Sequence, residues 1–98
     1  MKILHLTLQR QWFDMILSGQ KREEYREMKP YWNLRLGKTR YDLIKFRNGY
    51  HLTSPTMLVE LKEHLSGLGI IEWGAPAGRP VHILKLGSIL ELYKYPEP

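Results

Sequence analysis

Alternating apolar and polar positions open the chain: Leu4, Leu6 and Leu8 share one face of residues 3–8, as a half-buried strand requires. The period then changes. Leu8, Trp12, Phe13, Ile16 and Leu17 recur at helical spacing, and Gly19 stands where a left-handed C-terminal cap belongs. Residues 21–27 are almost wholly charged around Tyr25 and read as an exposed turn running into a short strand. Pro30 suits the first turn of a second helix through Leu36, which pairs Tyr31 with Leu34 and Trp32 with Leu36 before Gly37 ends it.

The second half reads as sheet. Residues 41–46 are strand-like, and Asn48-Gly49 is a strong turn signal. Residues 56–65 alternate, with apolar side chains on both faces near the start, and Gly67 and Gly69 predict a bulge or bend. A Gly/Pro loop follows over 72–80. Residues 81–86 and 88–92 form two strands parted by Gly87, and 94–98 form a tail. At 98 residues this is one domain, 1–98, with an α+β fold: a small mixed β-barrel of five or six strands with two or three flanking helices.

Composition narrows the chemistry. The absence of cysteine removes disulfides, thiolate metal sites and cysteine nucleophiles. No apolar run approaches the ~20 residues of a membrane span and the start lacks a signal-peptide pattern, so the expected location is the cytoplasm. The net charge of +5 is polarised: residues 1–50 carry 11 Lys/Arg against 5 Asp/Glu, and residues 51–98 carry 4 against 5. A basic half interleaved with aromatic residues suits a polyanion with unpaired bases. It equally suits a basic face that meets an acidic protein.

Phosphate-loop and dinucleotide fingerprints fail. Trp32 stands where a loop ending in Gly37-Lys38-Thr39 needs glycine, and Glu72 stands where the third glycine after Gly67 and Gly69 belongs. His5, His51, His64 and His82 show no paired metal spacing, so no metal or cofactor is expected.

Three clusters remain. In Gly19-Gln20-Lys21-Arg22-Glu23-Glu24-Tyr25-Arg26, strand alternation puts Glu24 and Arg26 on one face, with Lys21 joining them if the turn shifts the phase. A lysine among cations can serve as base or nucleophile; the same segment also reads as a solvated salt-bridge patch. Around Asn48-Gly49, Arg47 offers a planar fork for phosphate, Asn48 can read a base edge and Tyr50 can stack, unless this is a plain hairpin turn. In the third cluster, burial against Trp73 would bring Glu72 into the general acid–base range, whereas a structural Trp73 would simply plug the barrel end.

The order strand, helix, then Gly19-x-Lys21-x-x-Glu24-x-Arg26 resembles the ASCH domain, a compact branch of the PUA-like superfamily, and residues 81–92 resemble that family's last strands. The resemblance implies a PUA-like β-barrel with a basic cleft for RNA or nucleotides. Some members are amidohydrolases that remove the acetyl group from acetylcytidine, and one is a reported ribonuclease. Lys21 matches the proposed catalytic lysine of the amidohydrolase branch. Glu24 stands where that branch has threonine, and both Glu63 and Glu72 are candidates for its later glutamate.

The leading expectation is an RNA- or nucleotide-binding domain whose cleft uses Lys21, Arg22, Tyr25, Arg26, Arg47, Asn48 and Tyr50. The alternatives are a metal-independent hydrolase of modified nucleosides or RNA using Lys21 with Glu24 or Glu72, and a protein-interaction module.

Overall fold

The computed structural model describes residues 1–94, so most of the expected tail at 94–98 lies outside the described residues. Five strands, β1 (Ile3–Leu8), β2 (Glu23–Glu27), β3 (Leu43–Asn48), β4 (Thr56–Gly67) and β5 (Val81–Tyr93), form one sheet in the order β1-β3-β4-β5-β2. β1 and β3 are parallel and the other pairs antiparallel. The sheet curls into a half-barrel whose margins are β1 and β2. Two helices flank it, α1 (Arg10–Leu17) and α2 (Pro30–Gly37), together with a 3-10 turn at Ile71–Trp73. The expected small mixed α+β barrel is the observed architecture. Among the described residues, no helix is long and apolar enough to cross a membrane.

The alternation in β1 turns Leu4, Leu6 and Leu8 inward against Ile44, Phe46, Met57, Val59 and Leu84, and α1 closes this core with Phe13 and Ile16. Burying each such side chain contributes about 1.5–3 kcal/mol. Leu8 therefore belongs to the strand, and the helix starts at Arg10. α2 docks through Leu36, with Trp32 half-buried, while Tyr31 and Leu34 are exposed.

Four expectations need correcting. Residues 21–27 are not an exposed charged turn: Lys21, Glu24 and Tyr25 are buried. Gly19, at φ +85°, turns the chain back beneath α1, where Lys21 N–H donates to the Met15 carbonyl at 3.0 Å, and β2 then pairs with β5. The irregularities lie along the β4–β5 pairing, where residues 58–63 of β4 face 85–91 of β5, rather than at Gly67 and Gly69. Gly69 instead makes room, since a Cβ there would sit 2.7 Å from both the Tyr25 ring and Ala75. Nor does Gly87 split the last strand: β4 pairs with β5 on both sides of it, at Leu86 and Ile89, with a shift of register between them, and Glu60 reaches across to accept from Ser88 N–H at 2.9 Å. Finally, Asn48-Gly49 opens a longer loop: Arg47 pairs with Thr56, and Asn48 N–H donates to Pro55 at 2.9 Å.

Candidate functional site: a cleft between the sheet margins

Where β1 and β2 fail to pair, a cavity of about 520 Å³ opens. The turn after α1 delivers Lys21 to its floor, and β2 presents Glu24, Tyr25 and Arg26. Thr7 and Gln9 contribute from the β1 side, Trp32 and Arg35 from α2, and Trp73 from the 3-10 turn.

Lys21 is 2% exposed and Glu24 4%. The Lys21 ammonium stands 3.2 Å from Glu24 Oε1, donates to the Trp73 carbonyl, and lies 4.9 Å and 4.8 Å from the ring centroids of Trp12 and Tyr25. An ammonium has three N–H donors, of which Glu24 and the Trp73 carbonyl take two. Glu24 Oε2 accepts from Arg26, whose guanidinium also donates to the Tyr25 carbonyl at 2.9 Å and to the Thr7 carbonyl at 3.3 Å. Arg26 thus ties one sheet margin to the other. Its face lies 5.2 Å from the Trp32 ring centroid, and Arg35 approaches the same ring at 5.4 Å. Arg35 is itself fixed by the His5 carbonyl at 3.1 Å and the Tyr31 hydroxyl at 3.2 Å.

Burial lowers the Lys21 pKa, with Glu24 opposing and Arg26 reinforcing the shift. Burial likewise raises the Tyr25 pKa; its hydroxyl donates to Glu23 at 2.8 Å and accepts from Ile70 N–H at 3.0 Å. The combination can do two things chemically: grip an anion or a base edge with cations between aromatic faces, and offer a lysine with a carboxylate beside it for proton transfer.

No family model, curated protein or solved structure matches the chain.

Of the residues singled out by sequence, Lys21, Glu24, Tyr25, Arg26 and Tyr50 line this cavity, with Tyr50 90% exposed at its mouth. Arg47 and Asn48 do not. β1 stands between β3 and the cleft, and the Arg47 guanidinium folds onto its own loop, donating to the His51 carbonyl at 2.9 Å. Arg22 is exposed and borders a separate hollow with Gly19, Val59 and Ile89. Glu72 is exposed and outside the lining, although its neighbour Trp73 supplies the carbonyl on Lys21. Glu63 borders a different groove, beside Lys38, Arg40 and His64. Among the described residues, no group of three or more His, Cys, Asp or Glu side chains could hold a metal ion.

Sequence reasoning did not assign Trp12, Trp32 or Arg35 to the site, and it singled out Trp73 only as the neighbour that would bury Glu72. The helical period hid the first two, since an aromatic residue on an apolar stripe reads as core. Arg35, three residues after Trp32 on α2, carries the one signal that was available: a cation one helical turn from an indole.

Proposed function

We propose that this chain is an RNA- or nucleotide-binding domain of ASCH type that takes one unpaired nucleotide into the cleft between β1 and β2. The observation that carries the reading is the convergence of Lys21, Glu24 and Arg26 on the floor of one cavity whose walls include Trp12, Tyr25, Trp32 and Trp73. The cavity volume falls within the ~300–1,000 Å³ typical of small-ligand sites. The Lys21 ammonium and the Arg35 guanidinium supply cationic contacts, and Trp32 and Tyr50 supply stacking faces. Titrating ribonucleoside monophosphates against tryptophan fluorescence tests this directly. Saturable quenching is expected, and Trp32→Ala should weaken binding about tenfold or more, the loss typical of one stacked base. Absence of saturable binding by the monophosphates and by short single-stranded RNA alike would overturn the reading.

A second reading rests on the lowered Lys21 pKa and its 3.2 Å contact with Glu24: hydrolysis of an acylated nucleoside such as acetylcytidine, with Lys21 as the proton-transfer group. Glu24, and not Glu72, is the carboxylate in reach. Lys21→Met, which keeps the buried stem, should then cut turnover at least about a hundredfold. The unmutated protein's rate should rise with pH as Lys21 loses its proton. A protein without measurable deacetylation leaves the binding reading alone.

A further inference from the structure

A second hollow of about 350 Å³ adjoins the cleft, and Tyr25, Arg26, Trp32 and Gly74 line both. The two therefore lie side by side, with Arg26 and Trp32 on their common border. The far wall of the second is the loop carrying Pro76, Arg79 and Val81. Arg79 is exposed and has no hydrogen-bond or ion-pair partner among the described residues. Its backbone follows a turn at Gly78, φ +70°, and is restrained by Pro80, which confines Arg79 to extended conformations. The carboxylate of Glu27 also lines this hollow, but it is met by Lys29 Nζ at 3.4 Å, so its charge is offset.

From this adjacency, and from the unpartnered Arg79 beside it, we infer that the ligand is a single-stranded RNA segment of at least two nucleotides rather than a free nucleotide, with Arg79 holding the phosphodiester next to the nucleotide seated in the cleft. The inference rests on the proposed nucleotide-binding reading. An uncommitted guanidinium on a restrained loop suits phosphate, because its planar fork can donate two parallel hydrogen bonds and loses little freedom in doing so. The apolar flank of Pro76 and Val81 leaves Arg79 as the one cation there that no other side chain occupies, since Arg26 is spent on Glu24 and two carbonyls.

The test compares the four ribonucleoside 5′-monophosphates with a mixed-sequence RNA pentamer, on the unmutated protein and on Arg79→Ala. The pentamer should bind at least about tenfold more tightly than any monophosphate. Arg79→Ala should weaken pentamer binding by roughly tenfold or somewhat less, the scale of one charge-assisted contact, and leave monophosphate binding unchanged. It should also flatten the salt dependence of pentamer binding by about 0.7 of a logarithmic unit per unit, the value for one phosphate on a single strand. Equal affinity for pentamer and monophosphates, or a pentamer indifferent to Arg79→Ala, overturns the inference while the cleft reading stands. Failure of both pentamer and monophosphates to bind overturns both. A melting temperature unchanged in Arg79→Ala, as its exposure predicts, attributes the loss to contact rather than folding.

Discussion

At the scale of single residues, the ionic centre of the cleft is held by opposed forces. Burial alone disfavours a charged Lys21, and Glu24 offsets that cost through Oε1 while its other oxygen takes Arg26. Removing the carboxylate charge from such an arrangement typically costs about 3–5 kcal/mol, because the cations left behind lose their compensation. Glu24→Gln should therefore destabilise the protein by an amount of that order, read as the shift in urea midpoint. The loss should also depend on pH. A lysine with a folded pKa below its unfolded value binds fewer protons when folded, so its contribution to stability rises with pH up to the unfolded pKa of 10.5. With Glu24 gone the Lys21 pKa falls further, so the Glu24→Gln deficit should shrink as pH approaches 10. A deficit constant from pH 7 to 10 would mean that Lys21 is not the group responsible. Tyr25, whose pKa is raised, acts above its ordinary value of 10.0 and leaves this window clear.

The elements carry the residues to the cleft through packing rules that sequence shows unevenly. β1 and α1 are legible because each repeats one period over a length sufficient to define a face. Lys21 was legible as chemistry but not as a buried group, since burial depends on β5 and the 3-10 turn, both fifty or more positions away. Arg47 misled for the complementary reason: a turn sequence gives local geometry, whereas the place of β3 behind β1 is decided by strand order. Gly69 shows the same limit. It reads as a strand irregularity, yet its role is to admit the Tyr25 ring. Gly69→Ala should force Tyr25 or Ala75 to move, costing about 1–3 kcal/mol as overpacking does, and should disturb the cleft through Tyr25. A matching loss of denaturant midpoint and of nucleotide-induced fluorescence change is expected, and retention of both would show that the loop yields instead.

Another device joins α2 to the sheet. His82 Nε2 donates to the Asn33 amide oxygen at 2.7 Å, which leaves Nδ1 to accept from His64 Nε2 at 3.0 Å. Burial, and after it the charge of the neighbouring His64, lowers the His82 pKa. The unfolded chain therefore takes up this proton first, and stability should fall as pH drops from 6.5 through the lowered value. His82→Gln should lose that acid limb, measured as urea midpoint against pH. An unaltered limb would place the responsible group elsewhere.

Over the whole molecule, the sheet margins β1 and β2 meet through side chains rather than a hydrogen-bond ladder, and Arg26 is the direct link through the Thr7 carbonyl. Arg26→Met removes that link together with the Glu24 contact. Amide hydrogen exchange should then quicken in β1 and β2 before the long β4–β5 pair, which retains its ladder. Uniform quickening across all five strands would show that the seam opens with the global unfolding transition.

The same seam makes occupancy a mechanical matter. A molecule lodged there touches both staves of an unclosed cask, and so serves as the missing hoop. By mass action, a ligand at a hundred times its dissociation constant adds about 2.7 kcal/mol to the folded state. In a domain this small each such kilocalorie moves the melting temperature by roughly 4–8 °C. Under the proposed reading, a nucleotide and oligonucleotide library can therefore be ranked by heat alone, in the order in which its members delay the parting of the two margins.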